Sequence, residues 1–296
     1  MAVISISTRE NDALDINPPA GDQFLNVNGS DWLWTVTALF IVSFLTLYGL
    51  TLKARAGERF FHFIFIITTF VGSIAYFAMA SDLGWSLIPQ ANSVASHGLL
   101  RQIFFAKYIY WVVSFPAAVI ALGVLSGVSW ASIVFNVFLS WIWVLSYLVG
   151  AYTTTNYKWG FFAFGTVAYL FLAVNTLLLG RRSAARVGVA GHYTGLTAWL
   201  NLLWLLYPIA YGLSDGGNRI GVVGGFVFFG VLDLLMIPVL AFSVVFLSAK
   251  WDYSSLNIAF TQYGRVHATP GTFPEKHPVA AAPAAAPAAP APVAAV

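Results

Sequence analysis

Cysteine is absent from this chain of 296 residues, and charged residues make up only 8% of it. The absence of cysteine excludes disulfide bonds, thiol catalysis and metal sites built on cysteine. A soluble domain carries about 25% charged residues, whereas 59% of this chain is hydrophobic. The composition is therefore that of an integral membrane protein.

The motifs of common catalytic and metal sites are also absent. The chain has no nucleophile elbow, no phosphate-binding loop and no HExxH zinc motif, so we expect no enzyme activity. The five histidines have no spacing that would place two of them on one helix face, so we expect no metal site. They are His62, His97, His192, His267 and His277. The net charge of +3 does not indicate nucleic-acid binding, because the basic residues lie in short loops between apolar segments.

Seven apolar segments are each long enough to cross a hydrocarbon core about 30 Å thick. These segments predict an all-α membrane protein, with a seven-helix transmembrane domain over residues 32–250. Residues 1–31 would be an extracellular segment without a cleavable signal peptide. Residues 251–296 would be a cytoplasmic tail, rich in Pro and Ala and disordered from about residue 269. The predicted spans are 32–52, 60–81, 102–126, 130–152, 159–180, 191–213 and 221–249.

Asp233 is a carboxylate in the middle of the seventh apolar segment. An ionisable group at that depth costs roughly 2.5–3.5 kcal/mol on insertion scales, so its presence indicates a specific role. Two interpretations stay open: Asp233 belongs to an internal functional polar cluster, or it is a structural hydrogen-bond anchor.

Three segments resemble motifs of the microbial rhodopsins. In the third span, Lys107-Tyr-Ile-Tyr-Trp-Val-Val-Ser-Phe-Pro116 is similar to the family pattern Arg-Tyr-x-Asp-Trp-x-x-Thr-x-Pro. In the sixth span, Trp204-Leu-Leu-Tyr-Pro208 matches Trp-x-x-Tyr-Pro, and in the seventh, Leu232-Asp233 matches the start of Asp-x-x-x-Lys. The resemblance covers roughly residues 32–250 and implies a seven-helix bundle of microbial rhodopsin type.

The departures from the family pattern are equally informative. In the family, retinal forms a Schiff base with a lysine four residues after the helix-seven aspartate, and this position is Ile237 here. The counterion aspartate of helix three corresponds to Tyr110, and the proton donor corresponds to Ala121. The resemblance therefore implies a protein that binds no retinal covalently and does not pump protons with light. Non-covalent binding of retinal stays open.

By the same resemblance, eight positions form a vestigial counterpart of the retinal site. The aromatic residues among them either line a surviving cavity for an apolar ligand or pack against one another. Family geometry implies that Tyr207 is a partner of Asp233, and Lys107 would form an ion pair with Asp233 if its side chain reached inward. The eight positions are Lys107, Tyr110, Trp111, Trp204, Tyr207, Pro208, Asp233 and Ile237.

Loss of the lysine points to the fungal opsin-related, heat-shock-30-like branch of the family. This resemblance implies a stress-associated protein of the plasma membrane that supports or regulates other membrane proteins, such as the proton ATPase. The alternative is a sensor, or a transporter of ions or small molecules, that uses the vestigial cavity without a covalent pigment. Self-association into a homo-oligomer also stays open.

The charge of the loops predicts the orientation of the chain, because Lys and Arg are enriched in cytoplasmic loops. We expect the N-terminus outside and the C-terminus in the cytoplasm. Protease added to intact cells should therefore remove a tag placed before Met1 and spare a tag placed after Val296. Permeabilised cells, in which both tags are accessible, provide the control, and the reverse pattern would contradict the predicted orientation. The basic residues are Lys53, Arg55 and Arg59 after the first span, Arg181, Arg182 and Arg186 after the fifth, and Lys250 after the seventh.

Overall fold

A computed structural model of the chain describes residues 11–54, 58–91, 99–251, 253 and 256. Within these ranges, seven helices are long and apolar enough to cross a membrane, as the sequence predicts. A short helix, α1 (Ala13–Ile16), precedes them. The seven are α2 (Val27–Lys53), α3 (Phe60–Ala80), α4 (Phe105–Ser126), α5 (Trp130–Tyr152), α6 (Lys158–Arg186), α7 (Ala190–Leu213) and α8 (Val222–Ser248).

Helix α2 begins five residues earlier than the predicted span. The side chain of Asn26 accepts a hydrogen bond from the backbone N–H of Gly29 at 2.9 Å, which caps the first turn. Asn side chains are favoured at this position because they satisfy an N–H group that has no partner within the helix. The polar residues just before the apolar segment therefore belong to helix α2.

Helix α4 begins later than the predicted span, because residues 102–104 belong to a strand. Strands β1 (Trp85–Pro89) and β2 (Leu100–Phe104) pair in antiparallel register, with Trp85 opposite Phe104. This hairpin is an addition to the all-α architecture that the apolar segments predict. It places four consecutive residues of β2, 101–104, in buried positions at one end of the bundle.

The turn between α3 and β1 depends on two residues in the left-handed region of backbone space. Asp82 has a φ of 52° and Gly84 a φ of 75°. At Gly84, a Cβ atom would lie 2.9 Å from the Cβ of Ala106, so a side chain there would collide with the start of α4. Gln102 donates from Nε2 to both oxygens of Asp82 at 3.2 Å and accepts from the N–H of Leu25 at 2.7 Å. These bonds fix β2 against the two neighbouring segments.

A π-helical section, Asn175–Gly180, interrupts the α-helical geometry of α6. The section is held by side chains of other helices: Tyr193 donates to the carbonyl oxygen of Thr176 at 2.8 Å, and Asn175 donates to Asn136 at 2.8 Å. Thus α7 supplies a partner for one backbone carbonyl of the section, and α5 bonds to one of its side chains.

Just after α8, Trp251 packs against the end of the bundle at which α3 and α7 begin. Trp251 donates from its indole nitrogen to Nδ1 of His192 at 2.9 Å and packs edge-on against Phe61. Tyr253 and Leu256 are also buried. Three residues of the predicted tail, Trp251, Tyr253 and Leu256, are therefore part of the buried core, and the Pro- and Ala-rich stretch from about residue 269 lies outside the described residues.

Candidate functional site

Asp233 is fully buried in α8 and accepts hydrogen bonds from three side chains. Tyr76 of α3 donates to one carboxylate oxygen at 2.5 Å, and Tyr207 of α7 donates to the other at 2.5 Å. The indole N–H of Trp111 in α4 also donates to the second oxygen, at 3.0 Å. We call these four residues the Asp233 cluster. It joins four helices at the centre of the bundle.

The chemistry of the Asp233 cluster suits a carboxylate. An ionised Asp only accepts hydrogen bonds, whereas Tyr and Trp side chains donate them. Hydrogen bonds to a charged group are shorter and stronger than neutral ones. Three donors from three different helices therefore replace the water that an aspartate would have at the surface. The pairing of Tyr207 with Asp233 agrees with the sequence-based expectation, whereas Tyr76 lies outside the three motifs and was not predicted as a partner.

The aromatic positions of the predicted site pack against one another. Phe115, Trp143 and Trp204 form a three-ring cluster in which every ring contacts the other two: the centroid of Phe115 lies 4.9 Å from that of Trp143 and 5.7 Å from that of Trp204, and the two tryptophans are 5.8 Å apart. The rings of Trp111 and Tyr207 are 5.4 Å apart in an edge-to-face arrangement. Distances of 4.5–7 Å are those of aromatic pairs in direct contact. The side chains themselves occupy the space between α4, α5 and α7.

Tyr110 and Ile237 are both fully buried. The Tyr110 ring packs edge-on against Phe40 at 5.5 Å and Tyr76 at 6.1 Å, so the phenol occupies space between α2 and α3. Ile237 carries no amine at the position where the family pattern has its Schiff-base lysine, and therefore this position does not fit a covalently bound retinal. Pro208 is buried within α7, one residue after Tyr207.

Lys107 forms an ion pair with Asp215, not with Asp233. The expectation of a Lys107–Asp233 pair is therefore wrong. Asp215 lies just beyond the end of α7, where it also accepts a hydrogen bond from Tyr108 at 2.8 Å. This carboxylate pairs with Lys107 beside the end of α7 and leaves Asp233 to the neutral donors.

A second buried polar cluster therefore surrounds Asp215. Its members are Lys107, Tyr108, Asp215 and Arg101 of β2, whose Nη2 lies 3.7 Å from the Asp215 carboxylate. We call it the Asp215 cluster. Asp215 was not among the positions that the sequence identified for the site. The available signal was the position of two cationic residues, Arg101 and Lys107, near the start of an apolar span.

The electrostatics of the loop carboxylates differ because their neighbours differ. Burial would raise the pKa of Asp215, but the nearby charges of Lys107 and Arg101 hold that pKa below its ordinary value. Burial raises the pKa of Asp82 to about 6, against the hydrogen bonds from Gln102 and Trp85. Asp215 is thus the carboxylate that cations stabilise in its ionised form.

The two clusters meet at Trp111. The Nζ of Lys107 lies 5.8 Å from the centroid of the Trp111 ring and 4.6 Å from that of Phe229. The same indole donates its N–H to Asp233. Within the described residues, no group of three or more His, Asp or Glu side chains has a geometry that could hold a metal ion.

Seven helices around a buried aspartate on the last of them, with a tryptophan and a tyrosine from other helices bonded to it, define an opsin-type membrane protein. The sequence profile of the bacteriorhodopsin-like proteins matches residues 29–251. The chain therefore belongs to the bacteriorhodopsin-like family, as its motifs predict.

The relatives include both opsin-like and stress-related proteins. The chain is 36% identical over 241 residues to the opsin-like protein carO of Fusarium fujikuroi, covering 78% of each chain. It is 30% identical over 262 residues to the 30 kDa heat shock protein of Saccharomyces cerevisiae, covering 80% of this chain and 77% of that one. Among solved structures, a light-driven proton pump from Leptosphaeria maculans is similar, with a TM-score of 0.74 and 28% identity over 79% of this chain and 99% of that one.

The Asp233 cluster predicts a stability loss when its acceptor is changed. Asp233→Asn removes the charge and turns one oxygen into an amide that donates, so it opposes groups that also donate. We expect a loss of about 1–3 kcal/mol, which lowers the thermal midpoint by roughly 2–4 °C per kcal/mol in a domain of this size. Thermal unfolding of the purified protein in detergent measures the change.

Ser243→Ala is the matched control for this variant. Its hydroxyl lies on the same helix and bonds only to the carbonyl oxygen of Val239, at 2.7 Å, so its removal should change the midpoint little. An Asp233→Asn midpoint equal to that of the control would show that the three donors contribute no net stability.

Proposed function

We propose that this chain is an opsin-related membrane protein that works without photochemistry. The observation that carries the proposal is Ile237, a buried aliphatic side chain at the position where the family pattern has its lysine. A Schiff base needs an amine, and isoleucine has none. Tyr110 at the counterion position supports the same conclusion, since a phenol is a poor replacement for a carboxylate beside a cationic imine.

The packing of the former pigment site supports a structural role for its aromatic residues. The contacts among Phe115, Trp143 and Trp204 join α4, α5 and α7 through side chains alone. Such ring pairs each contribute about 0.5–1.5 kcal/mol beyond the burial of their area. The proposal therefore assigns these residues to the stability of the bundle.

We further propose a stress-associated role at the plasma membrane, in support or regulation of other membrane proteins such as the proton ATPase. The proposal is supported by the similarity to the 30 kDa heat shock protein of Saccharomyces cerevisiae along 77% of that chain.

The exposed surface of the helices fits a lipid bilayer as its environment. That surface carries large apolar side chains on every membrane helix, such as Leu45, Phe63, Ile109, Phe138, Phe171, Leu205 and Phe246.

A sensor or transporter that uses the vestigial cavity has less support. Transport needs a continuous polar path, and the Asp233 and Asp215 clusters are joined by aromatic rings, Trp111 and Phe229, instead of by polar groups. A small-molecule sensor needs an open pocket, and the rings described above occupy the centre of the site.

The first test of the proposal is incubation of the purified protein with all-trans retinal. We expect no visible absorption band that borohydride converts to a secondary amine, because the position of the family's Schiff-base lysine is Ile237 and the amine of Lys107 is held in an ion pair with Asp215. Ile237→Lys is the matched variant: it supplies the amine, but Tyr110 offers no carboxylate counterion, so we expect at most a weak or unstable pigment. A trapped adduct in the unchanged protein would contradict the proposal.

The second test concerns the stress role. Cells that lack the chain should differ from wild-type cells in proton extrusion after heat shock, and the full chain should restore the wild-type rate. A chain that ends at residue 268 separates the contribution of the tail from that of the helices. Equal extrusion in cells with and without the full chain would contradict a role in support of the proton ATPase.

A further inference from the structure

A hydrogen bond between two side-chain nitrogens joins the residues after α8 to the start of α7. The indole nitrogen of Trp251 donates to Nδ1 of His192 at 2.9 Å. His192 lies in the first turn of α7, and Trp251 follows the last residue of α8 by three positions. Trp251 is 7% exposed, so its indole N–H depends on this partner within the protein.

The bond requires one particular protonation state of His192. An indole nitrogen only donates a hydrogen bond, so Nδ1 of the imidazole must accept it. In a neutral imidazole one ring nitrogen donates and the other accepts, whereas in the protonated ring both nitrogens donate. The observed contact therefore belongs to the neutral ring with its proton on Nε2. A second proton, on Nδ1, would direct an N–H group at the N–H of Trp251 and break the bond.

The same segment makes further contacts, and these do not titrate in the range of a histidine. The ring of Trp251 packs edge-on against Phe61 of α3 at 5.4 Å, and the ring of Tyr253 lies 6.2 Å from Phe61. The hydroxyl of Tyr253 donates to the backbone carbonyl of Glu58 at 3.3 Å, and burial raises the pKa of that phenol above its ordinary value. Leu256 is 4% exposed. We call Trp251, Tyr253 and Leu256 the Trp251 clasp.

Other ionisable side chains belong to the elements that meet at this end of the bundle. Within the described part of the chain, the partner of His192 is Trp251, and none of these side chains bonds to the imidazole. The other histidine that the structure describes, His62, is next to Phe61 in the sequence and is 5% exposed. The ionisable residues are Glu58, Arg59 and His62 at the start of α3, Arg181, Arg182 and Arg186 at the end of α6, and Lys250 and Tyr253 after α8.

We propose that the Trp251 clasp is an acid-sensitive latch, which opens when His192 gains its second proton. Histidine side chains gain or lose this proton between about pH 5 and 8, so the latch is closed at the upper end of this range and opens at the lower end. Opening uncovers Phe61, which is fully buried in the closed state, and separates the start of the tail from α7. The proposal does not depend on the proposed function, because it concerns a contact within the chain.

The absence of cysteine from the chain allows one introduced thiol to report on the clasp. Leu256→Cys places a thiol at a position that is 4% exposed, and Tyr157→Cys places one at a position that is 84% exposed. Because the reactivity of a thiol itself depends on pH, the measured quantity is the ratio of the two labelling rates. A rise in this ratio means that the clasp has opened.

Three substitutions, each combined with the two thiol reporters, test the role of His192. His192→Asn keeps an oxygen acceptor near the position of Nδ1 and cannot take up a proton in this range. Trp251→Phe keeps an aromatic ring for the contact with Phe61 and removes the N–H donor. His62→Asn is the matched control, since it makes the same change at the other described histidine of this end.

We expect the labelling ratio of the purified full chain to be about tenfold higher at about pH 5.5 than at about pH 8, because one hydrogen bond is lost and two donors are opposed. His192→Asn should keep a low ratio at both pH values, and Trp251→Phe a high ratio at both. His62→Asn should retain the step. A step that persists in His192→Asn, or one that disappears in His62→Asn, would overturn the assignment to His192.

Hydrogen exchange in the chain without any substitution provides a measurement that does not depend on the folding of a variant. The amides of Lys250 and Trp251 donate to the carbonyl oxygens of Leu247 and Ser248 at 2.9 and 3.1 Å. After correction for the intrinsic effect of pH on exchange, deuterium uptake at these two amides should rise from about pH 8 to about pH 5.5. Equal corrected uptake at both pH values would refute the latch.

Discussion

Asp233 is the residue on which the centre of the bundle depends. A carboxylate in a membrane interior must find its hydrogen-bond partners within the protein, because neither lipid nor water can supply them. Tyr76, Trp111 and Tyr207 supply them from α3, α4 and α7. The cost of burying one charge thus becomes a constraint on the relative positions of four helices.

The same constraint explains the arrangement around Asp215. In a site with a cationic imine, the helix-three cation and the helix-seven carboxylate would act around that imine. Here Lys107 turns instead to Asp215, a carboxylate beyond the end of α7. The buried polar residues thereby form two clusters. Neutral hydrogen-bond donors surround the carboxylate of Asp233, and the cations Lys107 and Arg101 lie beside that of Asp215.

The sequence predicted most of the fold because hydrophobic length is a property of contiguous residues. Seven apolar segments and three motifs were enough to identify the helices, their order and the family. The hairpin β1–β2 was not predicted, since its buried strand reads as the start of the apolar span that continues into α4. The start of α2 was misplaced because Asn26 caps the helix through one side-chain hydrogen bond, which hydropathy does not register.

The site was predictable only where the family motif covers it. Tyr207 and Trp111 lie in motifs, and both contact Asp233. The contact of Tyr76 with Asp233 depends on which helices lie side by side, and the Lys107–Asp215 pair depends on the position of a loop residue. Neither can be inferred from a single sequence. Pairwise contacts across helices are non-local, so composition and periodicity identify the candidate residues but not their partners.

Trp111 connects the Asp233 cluster to the Asp215 cluster, because it contacts a residue of each. Its indole N–H is committed to Asp233, while its ring lies beside the ammonium group of Lys107. The ring face is the negative part of an aromatic quadrupole, so the cation is attracted to it. Rotation of this indole would cost a hydrogen bond on one side and a cation–π contact on the other. The aromatic residue that packs against the pigment in the family pattern thus contacts both clusters, in a protein that has isoleucine at the position of the Schiff-base lysine.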